Sequence, residues 1–223
     1  MLRSFISAGL AALLVAAPQV TIAQEEAPTK RRSFPPVNFN QEEDRENIWV
    51  LDLSNGERVS IRLMPQWAPN HVARIKQLTG QGFYDGVIFH RVIDGFMAQG
   101  GDPTGTGQGG SALPNLEEEF NPMPHVRGTV SMARANDEDS ANSQFFVVFY
   151  PRFSLDKTYT NFGRVISNMA GVDAINKGEP PANPTRIVQA SMASDNRAVP
   201  APQQAPKIEN EISLEDLSAP IGQ

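Results

Sequence analysis

No cysteine occurs in the 223-residue chain, which excludes disulfides, thiolate nucleophiles, iron–sulfur clusters and cysteine-based zinc sites. Histidine is nearly as scarce. His71, His90 and His125 are the only three; their separations match no metal-ligand spacing, so each reads as structural, and no metal or other cofactor is expected. Excess positive charge is missing as well. The formal charge is −6, whereas a nucleic-acid binder normally shows a basic excess or stripe, so no nucleic-acid partner is expected. Nor is there a G-x-S-x-G elbow, or any serine whose neighbours mark it as a nucleophile. The acidic run Asp137-Glu138-Asp139 lacks the spaced ligands and central glycine of a calcium loop. It reads, like Glu117-Glu118-Glu119, as a solvated loop.

What is present suffices for one ordinary domain with tails. The apolar share is 40% and the charged share 20%, close to globular averages. The N-terminus has a pattern of its own. Met1-Leu2-Arg3 supplies a positive start, Phe5 to Ala17 is almost wholly apolar, Pro18 interrupts it, and Thr21-Ile22-Ala23 ends on a small residue. A run of roughly 13 residues suits the apolar stretch of an export signal, while a membrane-spanning helix needs about 20. Residues 1–23 are therefore expected to be a removable signal peptide. The destination would be the periplasm or the exterior, with no stable membrane insertion once the signal is gone.

Residues 24–44 are rich in Pro, Glu and Gln, have no apolar period and read as a flexible linker. Residues 194–223 are Ala/Pro/Gln-rich and then acidic, and read as a disordered tail. Between them, residues 45–193 form the expected domain. Ile48–Leu53 and Arg58–Leu63 are strand-like runs separated by Ser54-Asn55-Gly56-Glu57, and Asn-Gly between two such runs signals a hairpin. Pro69 to Leu78 carries a helical period through Val72, Ile75 and Leu78. Further strands are expected at Val87–Ile93, Gly128–Met132, Phe145–Tyr150, Asn161–Ile166 and Thr185–Ser191, and a second short helix at Met169 to Lys177. Many short strands with only two helices predict a mainly β fold, a closed antiparallel barrel with accessory helices.

Gly105-Thr106-Gly107-Gln108-Gly109-Gly110 matches the dinucleotide fingerprint in letters only. The fingerprint needs a strand before it and a helix after it. Gly101-Asp102-Pro103 precedes the run and Ser111-Ala112-Leu113-Pro114 follows it, so the glycines read as a surface loop with positive φ angles. The segment Phe89–Asp102 is more informative. On a strand, Phe89, Arg91 and Ile93 would share a face opposite His90 and Val92. An arginine between two large apolar residues is reasonable only if its guanidinium emerges into a cleft and meets a partner. Spacing alone leaves two readings open, an ion pair with a local carboxylate or a functional cation.

Three segments in order resemble the cyclophilins: Phe89–Asp102, His125–Arg134 and Asn142-Ser143-Gln144-Phe145-Phe146. The likeness spans about Asn47 to Ser191. It implies a closed eight-stranded antiparallel β-barrel capped by two α-helices, with a proline-binding groove on its outside. It also implies peptidyl-prolyl cis-trans isomerase activity on proline-containing polypeptides, with no cofactor. Arg91 corresponds to the catalytic arginine and Gln99 to the glutamine beside it. Phe96, Met97, Phe146 and Leu155 correspond to the apolar pocket for the proline ring, Ala133 and Arg134 to the substrate-binding backbone, and Gln144 to a second groove glutamine. Tyr159 stands where eukaryotic members commonly have histidine, and Ser154 where they carry a tryptophan that contacts cyclosporin, so weakened binding of that drug is expected. A non-catalytic scaffold that grips proline segments is the alternative, and retention of Arg91, Gln99 and the pocket favours the enzyme. A monomer is expected.

Overall fold

The computed structural model describes residues 32–201. The expected signal peptide, residues 24–31 of the linker and residues 202–223 of the tail lie outside the described residues. The strands are β1 (Ile48–Leu53), β2 (Arg58–Leu63), β3 (Arg91–Ile93), β4 (Met97–Gly100), β5 (Thr129–Met132), β6 (Phe145–Val148), β7 (Asn161–Ser167) and β8 (Ile187–Met192). Two helices accompany them, α1 (Pro69–Gly80) and α2 (Met169–Asp173). Every pairing is antiparallel, in the order β3-β4-β6-β5-β7-β2-β1-β8.

The expected closed barrel is corrected to an open, curled half-barrel, because β3 and β8 end the order and share no ladder. The reason is local. β3 has only three residues, and its outer edge is occupied by Gly178, which exchanges two hydrogen bonds with Val92 (2.8 and 2.9 Å). Pro180 and Pro181 follow and have no N–H to extend a ladder. Beside β8, a single bridge joins Ile88 to Arg186. Each free edge is thus covered by a short irregular segment.

Period-2 alternation explains most of the core. Trp49 lies opposite Ile61 and Leu51 opposite Val59, and all four are buried with Leu53 and Leu63 in one cluster. From α1, Val72, Ile75 and Leu78 enter the same cluster as their helical spacing predicts. Burying each contributes about 2 kcal/mol. Trp49, Tyr84, Phe89 and Phe145 meet edge-to-face at centroid distances from 4.9 to 6.1 Å.

Three elements differ from expectation. Val87–Ile93 is not one strand, since only Arg91–Ile93 is laddered and the Phe89 N–H turns aside to Thr185 O (2.9 Å). Phe89 consequently joins Val92 in the core and does not share a face with Arg91. β4 was not anticipated, because Met-Ala-Gln-Gly has little intrinsic strand preference; pairing with β3 on one side and β6 on the other makes it a strand. The second helix ends at Asp173, short of Lys177, where the chain leaves to bond Asn176 N–H to Thr185 Oγ1.

Both flanking segments touch the domain. Arg62, 2% exposed, donates from β2 to the carbonyls of Asn38 (3.0 Å), Asn40, Glu43 (3.0 Å) and Asp44 (3.2 Å). A buried guanidinium needs several acceptors, and here the residues before β1 supply them. At the other end, Arg58 and Gln189 donate to the carbonyls of Arg197 and Ala198.

Candidate active site

Sheet register builds the site. Arg91 on β3 lies opposite Gln99 on β4, Gln99 opposite Phe146 on β6, and Phe146 opposite Ser131 on β5. Residues directly opposite share a face, so this row crosses four strands on one side of the sheet. The next row, Val92, Ala98, Val147 and Val130, points to the main core. Arg91 is therefore on the outer face, where a second, smaller apolar cluster forms. Met97, Phe146 and Val148 are its buried members, with Ile93, Phe96, Ala133, Leu155 and Tyr159 packed around them.

That cluster borders a cavity of about 160 Å³ lined by Arg91, Phe96, Met97, Gln99, Ala133, Arg134, Phe146, Leu155 and Tyr159. Nine of the ten residues expected at the site thus come together. Its volume is below the ~300–1,000 Å³ typical of small-molecule pockets, a size for one side chain. Gln144, the tenth, lines a neighbouring polar cavity of about 500 Å³ together with the glycine loop. The pocket walls brace one another. Phe146 meets Tyr159 edge-to-face at 5.4 Å, and the Arg134 guanidinium sits 5.1 Å from the Tyr159 ring centre. Arg134 also donates to Thr158 O (3.1 Å), Ala135 O (2.9 Å) and Asn136 O (3.1 Å), so its side chain ties loops together at the rim of the cavity.

A hydrogen-bond relay crosses the groove. The carbonyls of Gly107 and Gly109 can only accept, so Gln144 must turn its NH₂ toward them (3.0 and 2.8 Å). Its Oε1 then accepts from Gln99 Nε2 (2.9 Å), which leaves Gln99 Oε1 facing Arg91 Nη1 (3.5 Å). Backbone carbonyls in the glycine loop thereby set the orientation of both amides. Among the described residues, no group of three or more His, Asp or Glu side chains converges as metal ligands.

Residues 50–192 match the family model of cyclophilin type peptidyl-prolyl cis-trans isomerase/CLD. The chain belongs to the cyclophilins. A Brucella suis protein named "Probable peptidyl-prolyl cis-trans isomerase" is 44% identical over 170 residues, covering 69% of this chain and 86% of its own. Among solved structures, a Hirschia baltica cyclophilin is similar with a TM-score of 0.63 and 32% identity, covering 68% of this chain and 76% of that one. A Cryptosporidium parvum cyclophilin type isomerase, solved in the presence of the dipeptide Ala-Pro, gives 0.61 and 28%, covering 65% and 98%. The enzyme class is peptidyl-prolyl cis-trans isomerase.

Several residues that hold this cyclophilin's groove had no signal in the sequence. Asp102, 1% exposed, accepts from the Thr104 amide (2.8 Å) and hydroxyl (2.7 Å) and from the amides of Thr106 (3.1 Å), Gly107 (2.6 Å) and Gly109 (3.1 Å). Gly107, at φ +82°, needs its missing side chain to make this turn. Burial pushes the Asp102 carboxyl up, but the Thr104, Gly109 and Gly107 bonds outweigh it and hold it at about 2. Asp102→Ala should cost about 3 kcal/mol, since a charged acceptor of several bonds is lost. It should also release the Gly107 and Gly109 amides to rapid hydrogen exchange; unchanged protection there would refute the clamp. A depressed carboxyl contributes stability above its ordinary 3.8 that fades as pH falls toward about 2.

The floor under Phe146 has its own support. His125 stacks on the ring, 6.3 Å between centroids and 17° between planes. Its Nδ1 lies 2.8 Å from Asp156 Oδ1 and its Nε2 2.8 Å from Ser131 Oγ. Burial lowers the His125 pKa more than Asp156 raises it, so the neutral ring donates to Asp156 and accepts from Ser131. This Ser–His–Asp order is no hydrolase centre, because Ser131 and His125 are 0% and 1% exposed. Glu119 departs from its expected place in a solvated loop: it is 3% exposed and caps α1 from below. The other acids of the two runs, Glu117, Glu118 and Asp137 to Asp139, are exposed as expected.

Proposed function

We propose that this cyclophilin accelerates X–Pro rotation in exported polypeptides as they fold, with Arg91 as the group that stabilises the transition state. The observation that carries the reading is a guanidinium on the wall of a small cavity closed by the apolar side chains of Met97, Phe146 and Leu155. The uncatalysed barrier of ~18–20 kcal/mol reflects lost amide resonance. As the bond twists, the prolyl nitrogen recovers its lone pair and becomes a better acceptor. A donor beside it binds the twisted state more strongly than the planar one, which is the condition for a faster reaction. Arg91 remains charged and transfers no proton. The pocket holds the ring while the preceding carbonyl swings, and the apolar wall strengthens the Arg91 contact. An acceleration of ~10⁵ requires about 7 kcal/mol, within reach of a charge-assisted bond combined with ring fixation.

Arg134 N–H and C=O make no hydrogen bond among the described residues, which suits them to pair with a substrate backbone, and a relative solved with Ala-Pro supports a proline ligand. Gln99 keeps one N–H for substrate, its remaining groups serving Arg91 and Gln144. Exchange spectroscopy on a proline tetrapeptide tests the activity; an unchanged exchange rate with intact protein would favour a scaffold. N-terminal sequencing of the mature product tests export, and a product still starting at Met1 would refute removal of residues 1–23.

A further inference from the structure

Arg91 has a partner that neither motif nor spacing announced. Its Nε donates to Glu179 Oε2 at 2.8 Å, across 88 residues of sequence. We propose that Glu179 is a positioning residue for Arg91, fixing the plane of the guanidinium so that Nη2 is left for the substrate; the proposal rests on the reading of Arg91 as the donor.

The segment that brings Glu179 there is built for the purpose. Gly178 forms an antiparallel pair with Val92, and continuing that register places Glu179 across from Arg91 and Lys177 across from Ile93. The turn requires glycine at 178, where φ is +142° and a Cβ would lie 2.6 Å from Pro181 Cα. Lys177 anchors the near side, its Nζ 3.0 Å from Asp173 O and 3.5 Å from Asp94 Oδ1. The carboxylate is thus delivered by edge pairing on β3, the strand that carries Arg91.

Of the five N–H donors of a guanidinium, Nε is taken by Glu179 and one on Nη1 by Gln99. Nη2 makes no hydrogen bond among the described residues. A planar group held at two of its nitrogens cannot turn about its long side chain. The Gln99 contact, at 3.5 Å, is at the limit of a hydrogen bond and cannot hold the plane alone. Glu179 also acts in the opposite sense, since its charge weakens the positive field that a transition state would feel. Exposure decides between the two. The side chains are 41% and 51% exposed, so water screens the charge effect strongly, whereas a donor misplaced by about 1 Å can cost ~10² in rate. Orientation therefore outweighs neutralisation.

The test is steady-state kinetics on the purified protein with Glu179→Ala, Glu179→Gln, Arg91→Ala and the Arg91→Ala/Glu179→Ala pair. Glu179→Ala should lower kcat about tenfold with KM within about twofold, because the apolar pocket is untouched. Thermal stability should not change, as expected of a half-exposed pair. Glu179→Gln retains an acceptor and should recover kcat to within about threefold of the parent. In the Arg91→Ala background, Glu179→Ala should have no further effect. Parental kcat in Glu179→Ala, no rescue by glutamine, or an equal loss in the Arg91→Ala background would each overturn the proposal. Should Arg91→Ala itself retain parental activity, the reading of Arg91 fails first and the role of Glu179 with it. Loss in Arg91→Ala alone would leave that reading intact and remove only Glu179.

Discussion

Replacing Arg91 by alanine should lower kcat/KM for prolyl isomerisation by about 10²- to 10³-fold, the range seen when a single donor to a developing charge is removed. Most of the loss should fall on kcat, because the bond to the prolyl nitrogen strengthens only as the amide twists. KM should change little, since in the proposed reading the ring is held by Met97, Phe146 and Leu155, which line the cavity. The fold should tolerate the change. Arg91 is partly exposed on the outer face of β3, and its neighbour Val92 carries that strand's contact with the core. Arg91→Lys should recover only part of the rate, because a single ammonium cannot reach Glu179 and Gln99 and still offer a planar donor to substrate. Exchange spectroscopy on a proline tetrapeptide gives the rates. Undiminished turnover in Arg91→Ala would remove it from the mechanism.

Glu119→Ala should have the largest effect on stability, about 3–5 kcal/mol, as expected when one partner of a buried charged network is deleted. Glu119 Oε1 accepts from the Asn70 amide (3.1 Å), and Oε2 accepts from the His71 amide (3.0 Å) and ring Nδ1 (2.7 Å). These amides are among the unpaired donors at the start of α1, where Ala68 in the capping position offers no side-chain acceptor and Pro69 no N–H. A carboxylate from a distant loop takes the place of a local cap. Its own amide is held by Thr160 Oγ1 at 3.0 Å, so the loop is anchored as well. Burial pushes this carboxyl up, but the bonds from the His71 ring, the His71 amide and the Asn70 amide outweigh burial and leave it below its ordinary 4.5. A lowered carboxyl contributes stability that is complete above the unfolded value and fades as pH falls through the folded one. The gap in urea midpoint between parent and Glu119→Ala should thus be widest near neutrality and narrow below about pH 4.5. Equal midpoints at pH 7 would rule out the cap.

Much of this was legible in the chain. The β-branched and aromatic runs on either side of Asn55-Gly56 locate β1 and β2, and the spacing of Val72, Ile75 and Leu78 locates α1. Nine of the ten expected site residues line one cavity because two of the recognised segments become neighbouring strands, β4 and β6, and a third leads out of β5. Strand parity puts Phe89 beside Arg91, but parity holds only while the ladder is unbroken, and the chain turns aside at Phe89. Nothing local separates Glu119 from Glu117 and Glu118, because three acids in a row look alike until one of them meets a helix end.

Arg91 shows where the boundary lies. The chain alone presented it as a cation among apolar neighbours that needed a partner, and left open an ion pair or a functional role. The tertiary structure replaces a local carboxylate with Glu179, 88 residues away, and sets Arg91 on the wall of a cavity built from β3, β4, β6, the turn at Phe96 and the loops after β5 and β6. Local sequence determines periodicity, turns and which residue types occur together, because these depend on neighbours along the backbone. Edge pairing by Gly178, the amide relay from Gly107 and Gly109, and the opening between β3 and β8 depend on hydrogen bonds between distant segments. Those bonds exist only once burial of the two apolar clusters has brought the segments together.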